Sequence, residues 1–276
     1  MFVNPIAMTQ FRLSQQHLNL LSLCPRKFQY TYLDQLVSPT SPEQEERIAW
    51  GNQFHLLMQQ HELGLPVDLL LIQDQELKRC YDEFLSVASD IFRLNSDPAT
   101  FFFREAEHYR SLNFRNNLLV VIYDLIKAEE KQAQIFDWKT YPRPQNRQLL
   151  ENNWQTRLYP YLLVETSQYL PEQVSMTYWF VKSPQKQPPE FLNFPYTQQQ
   201  HQKNQQDLNQ LIDQFHNYLD RYQQGESFPQ VDQSQGHCKS CQFAIRCQRV
   251  SEELSLDQPL NSLNLYNIDQ VQEVII

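Results

Sequence analysis

The hydrophobic pattern of this chain changes character several times, and each change predicts a different element. Apolar residues recur at helical spacing over Leu13–Leu33, with Pro25 expected to break the helix. Glu43–Leu63 reads as a second helix with Ile48, Phe54, Leu57 and Met58 near one face. Asp68–Phe92 continues as helix, with Leu69, Leu77, Phe84 and Leu85 among its apolar positions. Then come three runs rich in Phe, Val, Ile and Tyr, separated by polar turns: Phe101–Phe114, Leu118–Ala128 and Gln134–Lys139. These are expected to be consecutive strands. Asn146–Tyr169 returns to helical character, with Pro160 predicting a kink or break. Val174–Val181 is a further strand, Phe191–Tyr196 a candidate fifth, and Pro184–Pro195 an exposed hairpin or loop. Gln198–Tyr222 is a polar, amphipathic helix, and a polar tail follows residue 251. The order of elements predicts a mixed α/β domain with a helical preface.

Composition narrows the function classes. The 276 residues suit one embellished domain or at most two, and 41% hydrophobic with 20% charged residues is a globular composition. The four glycines lie far apart, which excludes the clustered glycines of a dinucleotide fingerprint or phosphate-binding loop. The longest apolar run, Leu118–Tyr123, is strand-sized, so no membrane partner is expected. The N-terminus lacks the basic and apolar regions of a secretory signal, and a cytoplasmic location is expected. A net charge of −9 disfavours a nucleic-acid partner, but it is a whole-chain sum. Gly236–Arg249 carries Lys239, Arg246 and Arg249 without an acid, and Arg26-Lys27 follows Cys24-Pro25.

Two neighbouring strands each place an acid among apolar residues: Asp124 in Val120–Ile126 and Asp137 in Ile135–Lys139. Asp137 and Lys139 share a strand face, opposite Phe136 and Trp138. A carboxylate in a central strand is costly unless paired or bound to metal. If the strands pair, Asp124 and Asp137 meet and offer hard oxygens to Mg²⁺ or Mn²⁺, with Lys139 beside them. A plain ion pair between Lys139 and either aspartate is the competing reading. Gln155 and Tyr159 lie at i and i+4 on one face of the following helix. His55 adjoins the Phe54–Met58 stripe, where a core histidine is the ordinary expectation. Glu105 is a candidate catalytic acid early in the first strand; Glu107 shares its face, and the residues leave open which of the two matters.

Of the five cysteines, Cys238, Cys241 and Cys247 crowd into ten residues. An odd number without a signal argues against a disulfide framework and for metal or cluster ligation. Cys24, at the Pro25 break, or Cys80, within a helix, could complete a four-thiolate set for zinc or an iron–sulfur cluster.

Together these pieces resemble the PD-(D/E)XK nuclease superfamily, in its RecB-like branch with an iron–sulfur clasp, which includes the AddB nuclease domain and CRISPR-associated RecB-like exonucleases. The resemblance is carried, in order, by Cys24-Pro-Arg-Lys-Phe28, Gly51-Asn-Gln-Phe-His55, Asp124, Asp137-Trp-Lys139, Gln155-x3-Tyr159 and Cys238-x2-Cys241-x5-Cys247, from about residue 11 to 250. Ile122 departs from the pattern, which usually has Gly two residues before the aspartate of the second motif.

The resemblance implies a restriction-endonuclease-like α/β core: a mixed central sheet flanked by helices, with a helical N-terminal region and a C-terminal cysteine clasp. It implies one nuclease domain over 1–250 (helical region 11–98, catalytic core 99–225, cysteine segment 234–250) and a tail over 251–276. His55, Asp124, Asp137 and the Trp138 carbonyl are the implied ligands of Mg²⁺ or Mn²⁺. Lys139 assists the attacking water, and Gln155 and Tyr159 support the site and the nucleic-acid strand. Cys24, Cys238, Cys241 and Cys247 are the implied ligands of a 4Fe–4S cluster, with Zn²⁺ as the alternative.

The implied activity is a metal-dependent deoxyribonuclease, an exonuclease preferring single-stranded DNA, in repair or recombination. The partners are DNA and a helicase or other repair protein, since no helicase motif is present. The alternatives are CRISPR spacer processing, an inactive nucleic-acid-binding relative, or an iron–sulfur redox protein; the last leaves the buried acids unexplained.

Overall fold

The computed structural model describes residues 10–37, 39–92, 101–182 and 188–249. The 251–276 tail lies outside the described residues. So do parts of the helical region, of the first strand's approach and of the Pro184–Pro195 segment.

The elements in chain order are β1 (Arg12–Leu13), α1 (Gln15–Leu23), α2 (Pro25–Phe28) with a π-helical turn over Gln29–Leu33, α3 (Pro42–Glu62), α4 (Asp68–Gln73), α5 (Gln75–Val87), α6 (Ser89–Phe92), β2 (Phe101–Phe114), β3 (Asn117–Glu129), β4 (Ala133–Lys139), α7 (Arg147–Asn152), α8 (Trp154–Glu165), β5 (Val174–Phe180), β6 (Glu190–Pro195) and α9 (Gln198–Gln223). They divide into two compact units. Residues 10–15 and 42–205 form the first; 16–41 and 206–249 form the second.

The first unit is a six-stranded mixed sheet in the order β1-β3-β4-β5-β6, with β2 along the other edge of β3. β2 and β3 form a hairpin closed by Arg115 and Asn116, both at positive φ, as a two-residue turn requires. β4 pairs antiparallel with β3 and parallel with β5, and the α7–α8 crossover makes the parallel step possible. Helices α3 to α5 cover one face: Phe54, Leu57, Met58, Leu77, Cys80 and Phe84 pack with Leu125, Phe136, Trp138 and Trp179. β4 and β5 are accordingly almost continuously buried. The mixed α/β architecture is the one the element order predicts, and the mixed central sheet flanked by helices is the one the resemblance implies.

Several expected boundaries differ. The Leu13–Leu33 helix breaks at Cys24, which is extended (φ −159°, ψ 105°) because Pro25 excludes the helical conformation before it. Asp68–Phe92 forms three helices: Asp74 is extended and caps α5, accepting a hydrogen bond from the Leu77 amide at 2.9 Å. Asn146–Tyr169 breaks at Asn153, whose side chain caps α8, and α8 runs on through Pro160. One lost backbone bond in a helix whose Leu158, Tyr159, Tyr161 and Leu162 are buried is outweighed by packing.

The second unit is held by an aromatic cluster. Phe28 stacks on Phe228 at 6.2 Å and meets Phe215 edge-on at 5.3 Å. Buried Gln29 accepts from the Phe228 amide and donates to Asp34, and Arg26 donates to the Phe228 carbonyl at 2.6 Å. The helical hairpin and the chain after α9 are thereby tied by hydrogen bonds as well as apolar contact.

Burial raises the pKa of Tyr123, Tyr178 and Tyr196, and pushes that of Tyr161 up to about 12. A phenol whose folded pKa exceeds its unfolded value contributes stability below about pH 10 that is lost as pH rises through the folded pKa. The protein should therefore hold a stability plateau below pH 10 and unfold between 10 and about 12. Phenolate absorbance should rise together with loss of the circular dichroism signal; non-cooperative titration of all tyrosines near pH 10 would contradict this burial.

Candidate active site

Asp137 and Lys139 project from one face of β4, and both are almost wholly buried. Their charges meet at 2.6 Å, between Lys139 Nζ and Asp137 Oδ1. Gln155, in the first turn of α8, bridges the pair. Its Nε2 donates to Asp137 Oδ2 at 2.6 Å and its Oε1 accepts from Lys139 Nζ at 2.7 Å. Asn153 fixes where this turn begins, so the helix cap sets the position of the bridging amide.

Asp124 lies in β3 beside the β4 segment. The last β3–β4 register pair is Leu125↔Phe136, so Asp124 and Asp137 occupy the next opposed position, as pairing of these strands demands. Asp124 Oδ2 accepts from the Trp138 amide at 2.6 Å, and Oδ1 stands 3.3 Å from His55 Nδ1. His55 comes from α3, which approaches closely at Gly51: a Cβ there would lie 3.0 Å from Thr140 Oγ1, just beyond β4. Gly51 thus lets the helix carrying His55 sit against the end of β4.

One atom each from His55, Glu107 and Asp124 lies within 4.8 Å of the others, a group that could hold a metal ion. Glu107 has φ 51°, in the left-handed region. The β2–β3 pairs Ala106↔Leu125 and His108↔Tyr123 flank it, so the distortion falls opposite Asp124. It also breaks the strand alternation: Glu105 pairs with His108 at 2.6 Å, three residues along, and is half exposed. Strand periodicity groups Glu105 with Glu107; the local backbone separates them and brings Glu107, not Glu105, to His55 and Asp124. Trp138 contributes its amide to Asp124, while its indole lies in the α3–α5 core, 5.1 Å from the Phe84 ring. Tyr159 is buried, with its ring against Tyr123 and its carbonyl accepting from the Tyr123 hydroxyl.

Replacement of the two glutamates separates their roles. Glu107→Gln should weaken binding of a divalent probe ion roughly tenfold or more, whereas Glu105→Gln should leave it unchanged. Calorimetric titration with Mn²⁺ checks this; equal effects would remove Glu107 from the group.

In the second unit, Cys24, Cys238, Cys241 and Cys247 line one small cavity together with Lys27, Phe243 and Arg249. None is in a disulfide. Burial raises the thiol pKa of Cys241 and of Cys247; mutual repulsion among the four sulfurs adds to it, while Lys27 and Arg26 oppose it. Cys80 instead stands in the core of the first unit, among Leu77, Tyr81 and Phe84.

The family model of the PD-(D/E)XK nuclease superfamily matches residues 12–248. The chain belongs to that superfamily. Among solved structures it is similar to an exonuclease candidate from Eubacterium rectale, with TM-score 0.50 and 10% identity over 94% of this chain and 100% of that one. It also aligns with SSO0001, with TM-score 0.37 and 11% identity over 90% and 91% of the two chains. No curated protein matches. Within this fold Asp137 and Lys139 pair at the end of β4, and the His55–Glu107–Asp124 group that could hold a metal ion lies at the neighbouring strand.

Proposed function

We propose that this nuclease hydrolyses DNA with Mg²⁺ or Mn²⁺, as an exonuclease of the RecB-like branch acting on single strands. The observation that carries the reading is the join between two charge clusters. The amide of Trp138, between Asp137 and Lys139, holds Asp124, which stands with His55 and Glu107. A metal group and a buried lysine are thereby linked through a single peptide.

His55, Glu107 and Asp124 would hold the ion, with hard oxygen and imidazole donors that suit either metal, whereas Asp137, expected among the ligands, pairs with Lys139 and Gln155. When bound, the ion supplies Lewis acidity toward a phosphodiester and lowers the pKa of a coordinated water. The Asp137 carboxylate and the Gln155 amide oxygen hold the Lys139 ammonium and direct it in a water-poor site. There its positive charge stabilises the charge developing on phosphate far more than it does in bulk solvent. Trp138 fixes the Asp124 carboxylate through its amide.

For the cysteines, the donor set fits a resident metal group: four thiols outside any disulfide around one cavity, with Lys27, Arg26 and Arg249 beside them. We assign them to a 4Fe–4S cluster that ties the two halves of the second unit, with a single zinc as the alternative. The setting that suits these thiols is the reducing cytoplasm. Unwinding, in repair or recombination, then falls to a partner helicase.

The test is digestion of end-labelled linear and closed-circular DNA, single- and double-stranded, by anaerobically purified protein. Linear single strands should be degraded with Mg²⁺ or Mn²⁺, and Ca²⁺ should bind without supporting turnover. Cleavage of closed circles would overturn the exonuclease reading, and full activity in excess chelator would overturn the metal reading.

A further inference from the structure

The catalytic lysine rests on a residue that no nuclease motif of this sequence contains. Tyr178 lies on β5, directly opposed to Asp137 in the parallel β4–β5 register. Its ring lies under the Lys139 ammonium, with Nζ 5.0 Å from the ring centroid. Its hydroxyl is 2.8 Å from Thr156 Oγ1 and 3.4 Å from Gln155 Oε1. All of these side chains are buried.

The direction of each proton follows from counting donors. Thr156 has one hydroxyl proton and donates it to the Leu150 carbonyl at 2.5 Å. Its oxygen is therefore the acceptor toward Tyr178, and the Tyr178 proton points at Thr156 with Gln155 Oε1 alongside. Gln155 Oε1 accepts from Lys139, with the Tyr178 hydroxyl 3.4 Å away, while Nε2 donates to the Asp137 carboxylate. A flipped Gln155 amide would set its NH₂ against an ammonium and its oxygen against a carboxylate, so the charged pair fixes the amide. The Tyr178 hydroxyl, bonded to Thr156, fixes the ring beside that amide. The ring adds a cation–π contact in a desolvated setting, where such contacts are strongest.

We propose that Tyr178 is a positioning residue for Lys139. Its ring supports the ammonium, and its hydroxyl, bonded to Thr156, holds that ring under the lysine, which keeps the lysine aimed for phosphodiester hydrolysis. Tyr178 itself touches neither substrate nor metal group. The inference rests on the nuclease reading above.

Three variants of the full-length protein test it: Tyr178→Phe, Tyr178→Leu and Thr156→Val. Steady-state kinetics with a linear single-stranded DNA and Mn²⁺ are run at a temperature where circular dichroism shows each variant folded. Tyr178→Leu, which loses ring and hydroxyl, should lower kcat roughly 30- to 100-fold with KM within about twofold, because transition-state stabilisation is lost and ground-state binding is not. Tyr178→Phe restores the ring and should recover most of that loss, remaining about three- to tenfold below wild type. Thr156→Val should match Tyr178→Phe. Variants within twofold of wild type in kcat, or a change confined to KM, would overturn the inference while leaving the nuclease reading intact. So would equal loss in Tyr178→Phe and Tyr178→Leu. Should the leucine variant not fold, Tyr178→Phe and Thr156→Val decide by the same kcat criterion. A wild-type protein without metal-dependent cleavage would defeat the nuclease reading and this inference with it.

Discussion

Asp124→Asn is expected to lower DNA cleavage by about three powers of ten or more without unfolding the protein. The loss follows from charge. One of two carboxylates in the His55–Glu107–Asp124 group becomes neutral, and a divalent ion contributes several kcal/mol to stabilising phosphoryl charge. The fold should survive because asparagine keeps an oxygen for the Trp138 amide and roughly the same shape. Relief of repulsion between Glu107 and the former carboxylate should leave Tm unchanged or slightly raised in chelator. Lys139→Ala should also abolish turnover, with a different stability signature. It strips the 2.6 Å counter-charge from an aspartate that is 1% exposed, and leaving one member of a buried pair alone costs about 3–5 kcal/mol. Adding Asp137→Ala should return much of that stability and none of the activity. The measurements are steady-state cleavage and denaturant unfolding of the three variants. Near-normal turnover in Asp124→Asn or Lys139→Ala would sink the site assignment.

Cys24→Ala is expected to strip the metal group from the second unit, although Cys24 and Cys238 are more than two hundred residues apart. Cys80→Ala should retain it. Wild-type protein purified anaerobically should be brown, with broad visible absorption and about four irons per chain. A cross-link closing a loop of this length restricts the unfolded chain by about 5 kcal/mol on the chain-entropy account, so its loss should be felt beyond the cavity. The Cys24 variant should become sensitive to protease in α1–α2 and in the 228–249 segment together, before the strands of the first unit fail. Both segments depend on the Phe28–Phe215–Phe228 cluster and on the Arg26 and Gln29 hydrogen bonds. Cys80→Ala only trims a side chain in the Leu77–Phe84 core, a change of about 1 kcal/mol. A colourless protein with one tightly held zinc would replace the iron–sulfur assignment and leave the nuclease standing. A Cys80 variant without metal beside a Cys24 variant that kept it would reverse the choice of fourth ligand.

Much of this was legible in residue order, because the relevant signals are local. Runs rich in Phe, Val, Ile and Tyr, bounded by polar turns, located β2, β3 and β4 to within a residue or so, since a buried strand shows as a short apolar run between turn residues. The common face of Asp137 and Lys139 follows from the period of two, and the break at Cys24 from the steric rule for a residue before proline. The four cysteines were reducible to two choices by spacing and by the Pro25 break. The two-residue strand β1 was not legible, being too short to carry a period and existing only by pairing with Leu118 and Leu119.

Residue order alone carries the set of chemical groups and the strand faces that bear them: acids in apolar strands, a lysine two residues on, and thiols in both segments of the second unit. Which members of that set meet is a matter of packing. Glu105 and Glu107 are equivalent under strand periodicity. A single left-handed residue in β2 turns one toward His108 and the other toward His55 and Asp124. Pro160 has the local chemistry of a helix breaker, yet burial of its neighbours carries α8 through it. Tyr178 carries no motif at all; its place under Lys139 exists because a parallel register sets it opposite Asp137. Local rules act through covalent neighbours a few residues apart and are written in the order of the chain. Register, helix approach at Gly51 and the orientation of one buried amide arise from non-local packing, and become fixed only when the sheet and its helices close on one another.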